Sequence, residues 1–485
     1  MKNASVDLLR GPILRSLLIF ALPILISNIF QQLYNTADIM IVGRFLGPDA
    51  LAAVGASSAI FDLVIGFALG VGNGMGVVIA RYYGAQDYRK LRQSVAATVV
   101  IGLSLSALVM ILGHFGLYPL LRFLGTPTSI IGQSYQYISM IVSCVGVTLG
   151  YNLCAGLLRA VGDSLTALYF LIFSALVNIV LDLFFITQLH LGVQSAGLAT
   201  IISQGLSAIL CLYYIKKRVT FLLPHKSDCV LDSSLYLDLL GQGMAMGLMN
   251  SIVSIGTVTL QYAINGFGSL IISAQVSARR IMSFAVLPLT SLASGMTTFT
   301  SQNFGAQQFK RIVAGLKQSC LVSITWSVIA CVLLYVASPF LAGLISGSDN
   351  AVIIDNASLY LRICSLFYPI LGILFIFRNS LQGLGKKLTP LTSSFIELFG
   401  KILFVVFVIP YMGYLGVILC EPLIWIPMTI QLYFSLRKHI RRLFVSKPPF
   451  WTALRLLQIG EFLSLLSRSS WESAWTIKRS GGNIF

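Results

Sequence analysis

The chain has 485 residues, of which 56% are hydrophobic and only 10% are charged, and it carries a formal net charge of +17. Soluble domains are about 25% charged, so this composition excludes an ordinary soluble globular protein. Apolar stretches of about 20 residues, each long enough to cross roughly 30 Å of hydrocarbon, recur along the chain. We predict an all-α membrane protein with twelve transmembrane helices, near residues 14–38, 51–78, 94–113, 134–157, 166–187, 194–215, 241–263, 272–300, 318–344, 357–382, 389–409 and 414–436.

The positive charge is distributed unevenly along these predicted spans. With both termini inside, basic residues concentrate in inside segments such as 216–218 and 437–447, whereas the outside segments carry only Arg44 and Arg122. This asymmetry is the positive-inside rule, so the charge indicates topology and not a nucleic-acid partner. The sequence therefore predicts a multi-pass protein of the plasma membrane with both termini in the cytoplasm and the lipid bilayer as its surroundings. We also expect the protein to be a monomer.

One pattern occurs twice in the chain. The motif at 84–91 is repeated at 305–312, and the motif at 159–166 is repeated at 382–389. Two agreeing pairs at nearly constant offset indicate a duplicated unit, which is how many secondary transporters are built, with the substrate path between the halves. We expect two pseudo-symmetric six-helix bundles: residues 1–215 and 239–442, with a cytoplasmic linker at 216–238 and a cytoplasmic tail of unassigned role at 443–485.

A group of polar residues stands out within the apolar stretches of the first half. Asp38 lies on the first helix, Asn178 and Asp182 are one helical turn apart on the fifth, and Thr200 lies on the sixth. These oxygen atoms suit a small cation or shared protons. Each group alone could simply hydrogen-bond a neighbouring helix, but carboxylates in hydrocarbon are costly and usually functional. The set predicts a coupling site.

Other charged residues interrupt the apolar stretches. Glu397 and Lys401 are four residues apart on one helix, a spacing that predicts a structural ion pair. Glu421 precedes Pro422 and could serve packing or distort the helix. Asp62 has no evident partner, which places it near a water-filled cleft.

Several motifs in the right order resemble the multidrug and toxic compound extrusion (MATE) family. They are Ala-Leu-Pro-Ile at 21–24, the long stretch 37–55, and the shorter ones at 178–182, 196–200 and 421–425. The resemblance implies two six-helix lobes that form a V-shaped cleft. It also implies alternating-access export of lipophilic organic cations in exchange for protons or sodium ions, with no cofactor.

The two halves differ in their acidic residues. The repeat offset aligns Asp38 with the stretch 259–261, Asn178 with Lys401 and Asp182 with Val405, so we expect no counterpart acidic cluster in the second half. This pattern resembles the DinF-like branch of the family, in which the first lobe couples. By that resemblance the proton or sodium site is Asp38, Asn178, Asp182 and Thr200, and the residues lining the adjacent cavity are Gln31, Tyr34, Tyr137 and Asn152. Pro23, which cannot donate a backbone hydrogen bond, would be the bend point of the first helix.

Two other classes of protein remain open. A flippase for a lipid-linked oligosaccharide or a related lipid shares this overall build and needs a basic cavity, which Arg279, Arg280 and Arg378 could supply. A membrane enzyme is less favoured because the sequence has no recognisable arrangement of nucleophile and base and no metal-ligand cluster. We therefore expect a transporter and not an enzyme.

Overall fold

A computed structural model describes residues 5–445 of the chain, and within them it contains helices and turns but no β-strand. The helices are α1 (Ile13–Leu46), α2 (Pro48–Gly84), α3 (Tyr88–Phe123), α4 (Ile131–Ser143), α5 (Val145–Ala160), α6 (Ser164–Thr187), α7 (Gln194–Arg218), α8 (Ser233–Asn265), α9 (Ser269–Gly305), α10 (Phe309–Ser346), α11 (Ala351–Leu366), α12 (Tyr368–Gly383), α13 (Leu388–Leu403), α14 (Ile409–Met412) and α15 (Tyr414–Val445). A π-helical segment, Phe404–Val408, joins α13 to α14. Residues 446–485, most of the expected tail, lie outside the described part.

The number of membrane spans agrees with the sequence. In the described part, ten helical stretches are long and apolar enough to cross a membrane, and two bent helix pairs bring the total to twelve when each pair counts as one span. The predicted fold class is therefore confirmed. The predicted spans at 134–157 and 357–382 are not single straight helices, however: α4 and α5 meet at 49°, and α11 and α12 meet at 55°.

The duplication is visible in the backbone. The bends fall at Cys144 and Phe367, which precede the second repeat motif of each half by the same distance. The first repeat motif forms the same turn in both halves, since Gln86 and Gln307 both have φ of 57°. This left-handed conformation is uncommon outside glycine, so its occurrence at both positions shows that the two motifs fold alike.

The two halves pack together along α1, α2, α8 and α9. Close contact between α2 and α8 depends on glycine: a Cβ atom on Gly74 would lie 2.5 Å from the carbonyl oxygen of Gln242, and one on Gly70 would lie 2.6 Å from Cα of Gly247. Small residues allow such backbone approach within a membrane. Residues up to Leu432 form one compact unit, and the division into lobes at 1–215 and 239–442 stays a prediction.

The predicted cytoplasmic end is held by polar contacts between distant segments. The guanidinium of Arg311 donates three hydrogen bonds, to the carbonyl oxygens of Leu8, Arg10 and Gly11, at 3.2, 3.0 and 2.9 Å. Asn303 donates a further bond to Leu8. These contacts tie the chain before α1 to α9 and α10, which belong to the second half.

Three ion pairs, made by two aspartates, anchor the linker and the start of α8. Arg92 on α3 contacts Asp228 of the linker at 2.8 Å. The backbone N–H of His225, together with this guanidinium, holds the pKa of Asp228 below its usual range. Asp238 on α8 pairs with Arg81 on α2 and with Lys387, 2.9 Å away, just before α13.

Candidate functional site

The predicted coupling residues come together where α1, α6 and α7 pack against one another. The amide of Asn178 lies between α1 and α7, and with its nitrogen turned toward Asp38 it donates to Oδ1 at 2.8 Å. In that orientation its oxygen is 3.3 Å from the backbone nitrogen of Thr200. The Thr200 hydroxyl donates to Ala196 of its own helix, which leaves the oxygen able to accept a bond or bind a cation. Asp38, Asn178 and Thr200 therefore form one group, and Asp182 lies beside Asp38.

Asp182 is the most unusual of these four residues. Its side chain is completely buried, and neither carboxylate oxygen has a hydrogen-bond partner among the described residues. Its charged neighbour is the carboxylate of Asp38. A buried carboxylate without donors is strongly destabilising, and a second one beside it adds repulsion. A proton shared between the carboxylates, or a cation bound by both, would satisfy these oxygens.

A polar cavity of about 380 Å³ lies beside this group. Asn178 and Thr200 line its wall, whereas Asp38 and Asp182 lie behind that wall. Asp62 also lines the cavity, and no other carboxylate of the described part of the chain does so. This position agrees with the expectation that Asp62 lies near a water-filled cleft. We call this space the upper cavity.

A second cavity of about 270 Å³ adjoins the first. We call it the lower cavity. The two share six lining residues, Asn28, Gln31, Leu69, Tyr151, Asn152 and Leu171, so they lie side by side, and we call them together the cleft. Side chains from the second half, including Asn250 of α8 and Asn379 of α12, also line the lower cavity. The cleft thus lies between the halves, as the repeat predicts.

The other predicted site residues are distributed around the cleft. Gln31 and Asn152 line both cavities, and Tyr34 lines the upper one. Tyr137 does not line either cavity: it packs with Val193 and Ala196, near the two carboxylates. It therefore stands behind the coupling group. Pro23 lies within a helix that continues unbroken on both sides, so the bend expected there remains a prediction.

The second half contains a buried charge cluster that the sequence reasoning resolved only in part. The predicted pair is present, with Lys401 Nζ 3.1 Å from Glu397. Lys401 also contacts Glu421 at 3.2 Å, and Glu421 pairs with Arg279 at 3.1 Å. Arg378 lies 3.7 Å from Glu397. Residues far apart in sequence thus meet across α9, α12, α13 and α15 in a cluster of two acids and three bases. The expectation that the second half has no counterpart of the Asp38–Asp182 group stays a prediction.

Sequence reasoning missed several residues of the cleft. Asn28 donates to Ser291 at 3.0 Å, and Asn250 donates to the carbonyl of Gly66 at 2.9 Å, so both bridge the two halves. Arg159 and Asn73 face the lower cavity. The one signal for Arg159 was its place at the start of a repeat motif, which did not reveal that it faces the cleft.

Two copies of a membrane-helix unit around one polar cleft define a multi-pass membrane transporter. Comparison with known families gives the particular class. The MatE family profile matches residues 23–184 and 245–407, one match in each half. The chain belongs to the MATE family of transporters.

Individual relatives and solved structures agree with this assignment. The chain is 28% identical over 393 residues to the probable multidrug resistance protein YpnP of Bacillus subtilis, covering 81% of this chain and 87% of that protein. It is 26% identical over 438 residues to the FAD transporter of Shewanella oneidensis, covering 88% and 95%. Its fold matches a solved transporter of the MOP superfamily from Pyrococcus furiosus with a TM-score of 0.83 and 24% identity, covering 92% and 99%.

Proposed function

We propose that the protein exports lipophilic organic cations in antiport with protons or sodium ions, by alternating access. The observation that carries this proposal is the buried Asp182 carboxylate, which has no hydrogen-bond partner among the described residues and lies beside the carboxylate of Asp38. Asn178, which donates to Asp38, and Thr200 line the polar cleft next to it. The name of YpnP, a probable multidrug resistance protein, supports the same function. The cleft falls in the size range of pockets for drug-sized molecules.

Either coupling ion fits the donor set. A proton on one carboxylate would let it donate to the other, which gives one of the unpaired oxygens of Asp182 a hydrogen-bond partner. A sodium ion would instead take ligands from carboxylate, amide and hydroxyl oxygens, the hard donors that such cations prefer. In both cases the ion removes the repulsion between Asp38 and Asp182 and so favours a closer approach of α1 to α6.

Coupling then follows from a competition within the cleft. When a proton or a sodium ion is bound, the carboxylates of Asp38 and Asp182 no longer attract an organic cation. Without the ion, the charged pair does attract it. Asn178 and Thr200 contact both the carboxylate group and the cavity, so a change in Asp38 alters the hydrogen bonding of the cavity wall. An ion can drive the cycle only if it binds the inward-open and outward-open states with different affinities. Because Asp38 lies on α1, a movement of α1 between the two states would change the ion site and so produce that difference.

The proposal includes the placement of the protein. It lies in the plasma membrane as a monomer with both termini in the cytoplasm, and the contacts that tie residues 8–11 to Arg311 belong to its cytoplasmic end. Residues 1–215 and 239–442 act as the two lobes, joined by the linker 216–238.

A flippase is not favoured by the contacts seen. That alternative depended on Arg279, Arg280 and Arg378 forming a basic cavity, yet none of them lines the cleft. Two of them are paired with Glu421 and Glu397.

Reconstituted proteoliposomes test the proposal. A pH gradient and a sodium gradient are imposed separately, and export of a fluorescent organic cation is followed for the wild type and for Asp38→Asn, Asp182→Asn and the exposed-carboxylate control Asp349→Asn. We expect one gradient to drive export by the wild type and the control, while each coupling variant loses at least ~90% of the rate. Wild-type export by Asp38→Asn would refute coupling at this site.

A further inference from the structure

Among the described residues that line the cleft, Arg159 has the one cationic side chain. It lies in the last turn of α5 and lines the lower cavity. Its side chain makes one hydrogen bond, from Nη2 to Oδ1 of Asn73 at 3.1 Å, and no carboxylate of the described residues lies within ion-pair distance. Arg279 and Arg378, in contrast, each contact a glutamate. Arg159 therefore faces the cavity with its charge unneutralised.

The surroundings of Arg159 are neutral and rich in hydrogen-bond donors. Five asparagines, at positions 28, 73, 152, 250 and 379, line the lower cavity together with Thr298. No carboxylate of the described chain faces this cavity. Because Asn73 accepts from Arg159 through its oxygen, its amide nitrogen remains free to donate. A planar guanidinium beside amide donors is the arrangement that recognises a carboxylate or phosphate.

The charges of the two cavities are opposite. Asp62 faces the upper cavity and Arg159 faces the lower one. The cavities share six lining residues, so a single elongated molecule that lies along these side chains can contact both. A cation alone gains nothing from the lower end, where Arg159 repels it.

We propose that the cleft binds zwitterionic amphiphiles, with the cationic part beside Asp62 and an anionic group, such as a carboxylate, on Arg159 and Asn73. This inference rests on the proposed export function and adds a substrate class to it. Simple organic cations are substrates that use only the upper cavity. Arg159 is then the residue that decides between substrates with and without an anionic group.

Arg159 could instead serve only to stabilise the end of α5, because a cation near a helix C-terminus is favourable. The repeat offers a way to separate the two roles. Gln382 occupies the equivalent position in the second half, so glutamine is compatible with this fold at this point. Arg159→Gln removes the charge but keeps a long polar side chain.

Two dyes that differ in one group provide the test. Rhodamine 110 has a free carboxylate, and rhodamine 123 is its methyl ester with the same cationic ring system. Binding of each to the purified, detergent-solubilised protein is measured by fluorescence anisotropy. Arg159→Gln should weaken rhodamine 110 binding by about 10-fold or more, as expected for a charge-assisted hydrogen bond, and change rhodamine 123 binding less than about 2-fold. Retained rhodamine 123 binding also shows that the variant is folded.

Further variants and outcomes complete the experiment. Arg159→Lys keeps the charge without the planar fork, so its loss of rhodamine 110 affinity should be smaller. Asp62→Asn should weaken both dyes. Equal effects of Arg159→Gln on the two dyes, or wild-type protein that binds rhodamine 123 but not rhodamine 110, would overturn the inference and leave cation export intact. Wild-type protein that binds neither dye would contradict both proposals.

Discussion

Gly84 and Gly305 occupy the same position in the two repeats, and each packs directly on the backbone of the other half. A Cβ atom on Gly84 would overlap the carbonyl oxygen of Gln302, and one on Gly305 would overlap that of Arg81. The ends of α2 and α9 thus approach each other through a pair of equivalent glycines. The duplication produces not only two similar halves but also a symmetric contact between them.

Alanine at either glycine should therefore destabilise the state described here. Because the obstacle is backbone rather than a flexible side chain, we expect Gly84→Ala and Gly305→Ala each to cost about 1–3 kcal/mol, the usual range for overpacking. Thermal unfolding in detergent measures the loss. Gly116→Ala is the matched control, since a Cβ atom there meets nothing within 4 Å and should leave the unfolding midpoint unchanged or raise it. Equal midpoints for all three variants would show that the contact yields without cost.

The charge cluster around Glu421 should determine stability more than transport. Glu421 is buried and neutralises both Arg279 and Lys401, so Glu421→Gln leaves buried cations in excess. Breaking a buried pair in this way typically costs about 3–5 kcal/mol. Adding Arg279→Met to that variant restores the charge balance and should recover part of the loss. Unfolding midpoints of the two variants test this prediction, and export per folded molecule is the second readout. A Glu421→Gln protein as stable as the wild type would contradict the role of the cluster in stability.

Arg311 should keep the chain before α1 in place. Leu8 is fully buried, and the three hydrogen bonds from Arg311 reach it and its neighbours. In a Leu8→Cys background, Arg311→Gln should increase the rate of cysteine labelling by a maleimide several-fold. The exposed Cys229 reacts in every variant and serves as the internal reference. Unchanged labelling at position 8 would show that packing alone holds this segment.

The Asp228 contact should make the linker sensitive to acid. Its pKa is lowered in the folded protein, chiefly by the backbone N–H of His225 and also by Arg92. The contact therefore contributes fully above the unfolded pKa of about 3.9 and is lost as the pH falls through the lower folded value. Hydrogen exchange of the 216–238 peptide, corrected for intrinsic rates, should show protection that drops below about pH 4.

Two variants distinguish the partners of Asp228. Asp228→Asn should remove the protection at neutral pH and abolish its pH dependence. Arg92→Gln should remove only part, because the bond from His225 remains. A wild-type linker whose protection is the same at pH 3 and pH 7 would rule out this role for Asp228.

The sequence predicted those features that depend on local spacing or on the repeat. Hydropathy predicted twelve spans, and the four-residue spacing placed Asn178 and Asp182 one turn apart on the same helix. The repeat predicted a cleft between halves. The bend at Cys144 was missed because no proline or glycine pair marks it, and the aligned bend at Phe367 is marked only by the following Pro369.

Contacts between helices were harder to predict. Lys401 and Glu421 are 3.2 Å apart although they lie on different helices, and only the three-dimensional packing brings them together. Arg159 shows the same difficulty: its position in a repeat motif was clear, but which side of α5 faces the cleft depends on how α2 and α5 pack. A single sequence does not show which residues of different helices are in contact. The charged residues within the spans could therefore be identified, but their partners on other helices could not.

Pro23 provides the final test, because it links the coupling site to the movement of α1. Proline at this position cannot donate to the carbonyl of Ile19, and its own carbonyl accepts a bond from the Ser27 hydroxyl at 2.8 Å. Such a site is a weak point in a helix, even though α1 is continuous in this structure. Asp38 is about four turns further along the same helix.

Pro23→Ala restores the missing donor and should stiffen α1. If ion binding at Asp38 acts by bending α1 at this point, export in proteoliposomes should fall by at least ~5-fold. Binding of the coupling ion, followed by quenching of a reporter fluorophore near the site, should change little because Asp38, Asn178 and Asp182 are untouched. Ser27→Ala is the control, since it removes the hydrogen bond from the Ser27 hydroxyl to the Pro23 carbonyl but keeps the proline. Export at the wild-type rate by Pro23→Ala would mean that α1 does not bend here, and that the ion at Asp38 instead acts by moving the lobes as rigid bodies.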